Sequence, residues 1–169
     1  LVLAFDAGLH PCDRAFLSLR VLCEVLGGGN GLLFQEIREK QGLCYDISMT
    51  CDTMTGLAFV QTGVAGKDVK HTASEICRIL QNVANDRIKN DDFQDAVEQI
   101  RRKISDISDS QWKIMDYVAE QEIIGTNLDS EQMLRRLADV TVEDVVKAAQ
   151  KLSLRTMYAL TGEEEFSWD

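Results

Sequence analysis

Residues 27–45 read Gly27-Gly28-Gly29-Asn30-Gly31-Leu32-Leu33-Phe34-Gln35-Glu36-Ile37-Arg38-Glu39-Lys40-Gln41-Gly42-Leu43-Cys44-Tyr45. The stretch is a glycine-rich loop, a short amphipathic helix, a glycine stop and the start of a strand. The spacing predicts a helix over Leu32–Gln41 that buries Leu33, Phe34 and Ile37. Gly42 stands where a helix commonly ends in the left-handed region. Clean alternation follows. Leu43, Tyr45, Ile47, Met49 and Cys51 fall on one face, and Cys44, Asp46, Ser48, Thr50 and Asp52 on the other, as in a half-buried strand. Thr53–Gly56 reads as a turn, and Leu57–Val64 as an antiparallel returning strand. Arg38 is thereby set near the helix end and Tyr45 near the strand start. A guanidinium offers a fixed fork of donors and a phenol one more. Such a pair is suited to hold a substrate carbonyl and stabilise its oxyanion, so Arg38 and Tyr45 are the candidate catalytic residues. The glycines allow positive φ and close backbone approach. Gly28, Gly29 and Asn30 are therefore candidate substrate contacts, at an edge where an extended peptide could pass.

Outward from this stretch the chain predicts a β-α-α-β-β-α-α-α-α-β order. Val2–Ala7 opens as a strand, and a Gly8–Pro11 turn follows. Asp13 stands as an N-cap or first-turn acid for a helix to about Leu26, with Phe16, Leu19, Leu22, Cys23 and Leu26 as its buried stripe. Beyond the hairpin, a helix over Asp68–Val83 and another beginning at Asn90-Asp91-Asp92 carry apolar stripes. No Gly or Pro interrupts the second before Gly125, which allows it to run on to Ile124. Asp129 caps a short helix through Leu137. Thr141-Val142-Glu143-Asp144 resembles a capping box for a helix ending near Leu152. Leu154–Leu160 is a final strand, and Glu163–Asp169 an acidic, frayed end. The expected fold is α+β, a two-layer domain over residues 1–162 with a mainly antiparallel sheet covered by helices on one face.

The motif resembles the C-terminal half of the insulinase and pitrilysin superfamily of zinc metallopeptidases, which includes the mitochondrial processing peptidases. The resemblance rests on Leu33, Phe34, Gln35, Glu36, Ile37, Arg38, Glu39, Lys40, Gly42, Leu43 and Tyr45 after the glycine loop, and the general layout extends it over nearly the whole chain. Gly31 and Leu32 stand where the family usually has Ser-Arg. The resemblance implies the α+β domain just described. It also implies an Arg/Tyr pair facing, across a cavity, a zinc site carried by another domain or subunit. The family's zinc site is a His-x-x-Glu-His helix, whose two histidines share one face. This chain has two histidines, His10 and His71, far apart in sequence. It therefore reads as the half without zinc: no metal ligand and no cofactor of its own, with zinc expected in an N-terminal domain or a homologous partner subunit. The implied partners are that half and a peptide substrate. The alternative is a structural or interaction subunit that has lost the chemistry.

Composition fits this reading. The content is 45% apolar and 27% charged, ordinary for a globular domain. The net charge of −10 offers no basic excess to neutralise nucleic-acid phosphate or an anionic membrane surface. There is no apolar run long enough to span a bilayer. The chain starts inside a strand without methionine and reads as a fragment of a longer polypeptide. Cys12, Cys23, Cys44, Cys51 and Cys77 show no CxxC spacing, and their odd number favours reduced thiols in a cytoplasmic protein. Cys23 and Cys77 read as small core residues. The glycine loop lacks the Lys-Ser/Thr of a phosphate loop, since Leu32-Leu33 stand there. His71 with Glu75, Arg101-Arg102-Lys103 with its flanking acids, and Trp112–Tyr117 read as a solvated pair, a solvated charged face and packing respectively.

Overall fold

The computed structural model describes residues 1–85 and 87–162; the acidic end assigned to residues 163–169 lies outside them. Four strands form one antiparallel sheet in the order β2-β3-β1-β4: β1 Val2–Asp6, β2 Cys44–Cys51, β3 Leu57–Val64 and β4 Ser153–Tyr158. The alternation read from sequence sets which row turns inward. Leu3, Phe5, Ile47, Met49, Ala58 and Val60 are buried under the helices. The α+β reading with an antiparallel sheet is borne out.

Six α-helices follow among the described residues: α1 Phe16–Gly27, α2 Val69–Ala84, α3 Asn90–Ser105, α4 Gln111–Ile124, α5 Ser130–Ala138 and α6 Val142–Lys151. The stripe of α1 is buried as predicted, with Leu19, Leu22 and Leu26 fully enclosed. The closest approach in the core is made by Gly27. A methyl group there would lie 1.9 Å from the Met49 backbone nitrogen, so only glycine lets α1 rest on β2. None of the glycines from 27 to 31 takes a positive φ. Gly27, Gly28 and Gly31 serve close approach and not left-handed turns. Both predicted caps hold. Asp129 and Gln132 exchange side-chain and backbone bonds at the start of α5, and Thr141 and Asp144 do so at α6.

Three expectations fail. Asp13 does not cap α1; its carboxylate accepts the His10 N–H at 2.9 Å and closes the preceding turn instead. The helix from Asn90 does not reach Ile124. It yields to a 3-10 turn over Asp106–Asp109, and Ser110 is extended before α4 begins. The run Ser-Asp-Ile-Ser-Asp-Ser competes for the backbone there, as in the Ser108 hydroxyl donating to the Ser105 carbonyl. Trp112–Tyr117 is not internal packing. Trp112 is 73% exposed, and Met115, Val118 and Ile123 are exposed with it. Cys23 is buried, and Cys77 is half-buried and packed against the core. In addition, β4 lies one residue early and ends at Tyr158, an open edge with every residue exposed. No described helix is long and apolar enough to cross a membrane.

Candidate functional site

The helix predicted after the glycine loop forms, but its core over Phe34–Glu39 is a π-helix. Lys40 N–H bonds the Gln35 carbonyl five residues back, and Leu43 N–H reaches the Ile37 carbonyl six back. Gly42, at φ 64°, closes this wide turn as predicted. Leu33 and Ile37 are fully buried and anchor one side. The wide turn brings residues four apart nearly into line, so the Arg38 guanidinium lies over the Phe34 ring, 4.5 Å from its centroid.

Tyr45 arrives from the other side through a β-bulge. Cys44 pairs with Val64, but Ile47 already pairs with Thr62, so Tyr45 and Asp46 together oppose Gly63. The Thr62 hydroxyl donates to the Asp46 carbonyl at 2.7 Å and holds the bulge. The extra residue reverses the face that simple alternation assigned to Tyr45. The ring points outward, 84% exposed, with its centroid 5.2 Å from Arg38 Cζ. A bulge that re-aims one side chain is a recurring device near functional sites.

Arg38 therefore sits between two aromatic rings, a contact worth about 0.5–1 kcal/mol per exposed ring. Two carboxylates of this region, Glu36 and Glu75, are engaged elsewhere. Glu36 accepts from Lys40 at 2.6 Å. Glu75 accepts two bonds from Arg78, at 3.0 and 2.8 Å, and one from Gln41 at 2.8 Å. Among the described residues Arg38 has no ion-pair partner, which leaves its planar fork available to a bidentate acceptor. Phe34, read from sequence as a core residue, is the third member of this group. Its signal was its place four residues before Arg38.

Glu75 fixes the neighbouring wall by tying α2 to the end of the π-helix through Gln41. The Arg78 bonds first, and the Gln41 bond second, lower its pKa from the ordinary 4.5 to about 2. A carboxylate held low contributes stability that is complete above pH 4.5 and is lost as pH falls toward 2. Glu75→Gln should cost about 1 kcal/mol or less at pH 7, the scale of a surface pair. It should also flatten the acid limb. Urea midpoints at pH 7 and pH 3 check this, and an unchanged drop between them in the variant would refute the assignment.

Gly28, Gly29 and Asn30 are not part of this group. They line a cleft of about 600 Å³ at the opposite end of the helix, with Glu24, Gln35, Asp92, Asp95 and Lys103. Three carboxylates in that cleft, against one lysine already paired with Glu24, oppose an anionic ligand. Asn30 contributes its carbonyl to the Gln35 amide at 2.7 Å.

No three described His, Cys, Asp or Glu residues are grouped to hold a metal ion. His71 is exposed, and Glu75 pairs with Arg78 rather than forming a simple i, i+4 pair with it. His10 Nδ1 lies 3.0 Å from Cys12 Sγ in the first turn, a contact the sequence spacing did not suggest. Arg101 and Arg102 pair with Glu98, as a solvated face should, and Lys103 crosses to Glu24.

The fold is a four-stranded antiparallel sheet under a helical cover, with Arg38 and Tyr45 brought together and no metal site among the described residues. Residues 3–100 match the family model described as the peptidase M16 inactive domain, and the chain belongs to that family. It is 27% identical over 165 residues to the Bacillus subtilis protein named "Probable inactive metalloprotease YmfF", a match covering 97% of this chain and 39% of that one. In fold it resembles a conserved protein from Enterococcus faecalis, with a TM-score of 0.84 at 24% identity, over 91% of this chain and 37% of that one. It also resembles the inactive peptidase domain of a Bordetella parapertussis zinc protease (so described), with a TM-score of 0.70 at 16% identity, over 89% of this chain and 84% of that one. The chain thus spans about two fifths of the first two proteins and most of the isolated domain.

Proposed function

We propose that this chain is the non-zinc-binding half of an M16 metallopeptidase. It binds extended peptide and supplies Arg38 and Tyr45 to an active site completed by another domain or subunit. One observation carries this reading: a half-buried guanidinium, clasped by Phe34 and the exposed Tyr45 ring, that has no ion-pair partner among the described residues. A donor fork kept free of ion pairs can give N–H bonds to the lone pairs of a main-chain carbonyl. β2 carries Tyr45 and is an edge strand, so a peptide adding itself there runs its backbone past the pair. Arg38 and the phenol then donate to the carbonyl as its oxygen gains charge. Zinc, supplied by the N-terminal half of the same protein or by a subunit bearing His-x-x-Glu-His, activates the attacking water when bound. Gly28, Gly29 and Asn30 enter only as a separate, outlying contact. The exposed apolar residues of α4 fit a surface covered by that other half. Five free thiols suit a reducing, cytoplasmic setting.

The second reading is a catalytically inactive structural or interaction subunit of the same superfamily. The name of the Bacillus relative favours it. Zinc analysis and a peptide-cleavage assay separate the two, run on this chain alone and on the chain joined to its missing half. The first reading expects no stoichiometric zinc and no cleavage for the chain alone, and zinc-dependent cleavage for the whole. Zinc-dependent activity of the isolated chain would overturn the division of labour. A zinc-loaded whole protein that cleaves nothing would favour the inactive subunit.

A further inference from the structure

Two thiols outside the peptide site face each other across the contact between α1 and β2. Gly27 places the helix backbone against Met49. Cys23 lies one helical turn before Gly27, about 6 Å back along the axis. Cys51 lies two residues beyond Met49, about 6.7 Å along the strand and on the same inward face. Thr53, two residues beyond Cys51, lines one cleft with Phe16, Leu17 and Arg20, so β2 runs antiparallel to α1 and Cys51 lies beside Cys23. A hydrogen bond between them is the largest cause of opposite shifts, with the Cys51 thiol made more acidic and the buried Cys23 thiol less so; Arg20 adds to the first. Both cysteines are unbridged, Cys23 enclosed and Cys51 partly open to solvent.

We propose that Cys23 and Cys51 are a peroxide-reactive pair that closes into a disulfide joining α1 to β2. The Cys51 thiolate attacks one peroxide oxygen, the O–O bond breaks and hydroxide leaves, giving a sulfenic acid on Cys51. The Cys23 sulfur then attacks the Cys51 sulfur. The S–S bond forms, the S–O bond breaks, and the departing hydroxide leaves as water with the Cys23 proton. Two electrons pass from the thiols to the peroxide, and the chain loses two hydrogens. The division of roles follows from position: the accessible sulfur reacts first, and the enclosed one resolves. Exposed Cys12 has only His10 beside it and no second thiol within its turn, so its oxidation stops at the sulfenic stage or proceeds further. β2 also carries Tyr45, so the cross-link tethers the strand that presents that ring.

The test treats the reduced chain with hydrogen peroxide, unfolds it in N-ethylmaleimide and maps it by tandem mass spectrometry. The expected result is a loss of 2 Da in one cross-linked species containing Cys23 and Cys51, reversed by dithiothreitol. Cys23→Ser should lose the bridge and accumulate Cys51 sulfenic acid that dimedone captures; Cys23→Ala serves the same end if the serine variant does not fold. Cys51→Ser should abolish the bridge. Oxidation confined to Cys12 with both other thiols still alkylated, or a bridge from Cys51 to Cys44 or Cys77, would overturn the proposal.

Discussion

Replacing Tyr45 with phenylalanine in the complete protein lowers peptide turnover about a hundredfold or more, because losing one donor to an oxyanion typically costs about 2.7–4 kcal/mol. The ring remains, so its contact with Arg38 and the bulge that aims it should survive. Circular dichroism, zinc content and melting temperature should match the parent. The loss should fall on kcat more than on KM, since the hydroxyl contributes most when the carbonyl oxygen carries charge. Replacing Phe34 with leucine is the companion change. It removes the ring beneath the guanidinium but no donor, so it should give a smaller loss that tyrosine at the same position restores. Unchanged turnover in Tyr45→Phe would remove the phenol from the mechanism.

The second large effect is structural. Gly27→Ala puts a methyl group 1.9 Å from the Met49 nitrogen and 2.5 Å from its Cα and Cβ, none of which a side-chain rotation can move. Helix α1 must lift from β2 by an ångström or more. Overpacking of this kind costs about 1–3 kcal/mol and sometimes more, and we expect the upper end because every core layer leans on α1. Urea unfolding gives the number, and a loss below about 0.5 kcal/mol, the scale of an ordinary surface change, would contradict the close contact. The same displacement drags β2, so Tyr45 should move relative to Arg38, and peptide binding should weaken together with stability.

The sequence showed the outline of the fold because its signals are local. The stripe of α1, the alternation of β2 and the caps at Asp129 and Thr141 each depend on neighbours a few residues away. The Arg38–Tyr45 pairing was legible through the motif, and the structure brings the two together. How they meet was not legible. A π-turn over six residues has no period to detect, and a strand bulge changes register without changing composition. Alternation therefore put Tyr45 on the buried face, where its 84% exposure shows it does not belong. The break at Asp106–Ser110 did have a signal, three serines and two aspartates in the six residues 105–110, outweighed by the absence of Gly and Pro. Apolar residues on α4 read as packing in the sequence because hydrophobicity says that a face is covered, and not which molecule covers it. Gly28–Asn30 and Arg38 are near in sequence, yet the cleft that the first three line does not include Arg38.

Calorimetric titration of a peptide into the complete, zinc-stripped protein tests most directly whether Arg38 and Tyr45 grip a polypeptide backbone, because it needs no turnover. Arg38→Ala should weaken binding at least tenfold, the loss of about 1.4 kcal/mol or more expected when a charged fork is removed, while Arg38→Lys recovers only part of it. An affinity unchanged by Arg38→Ala, in a variant shown to be folded, would contradict the account.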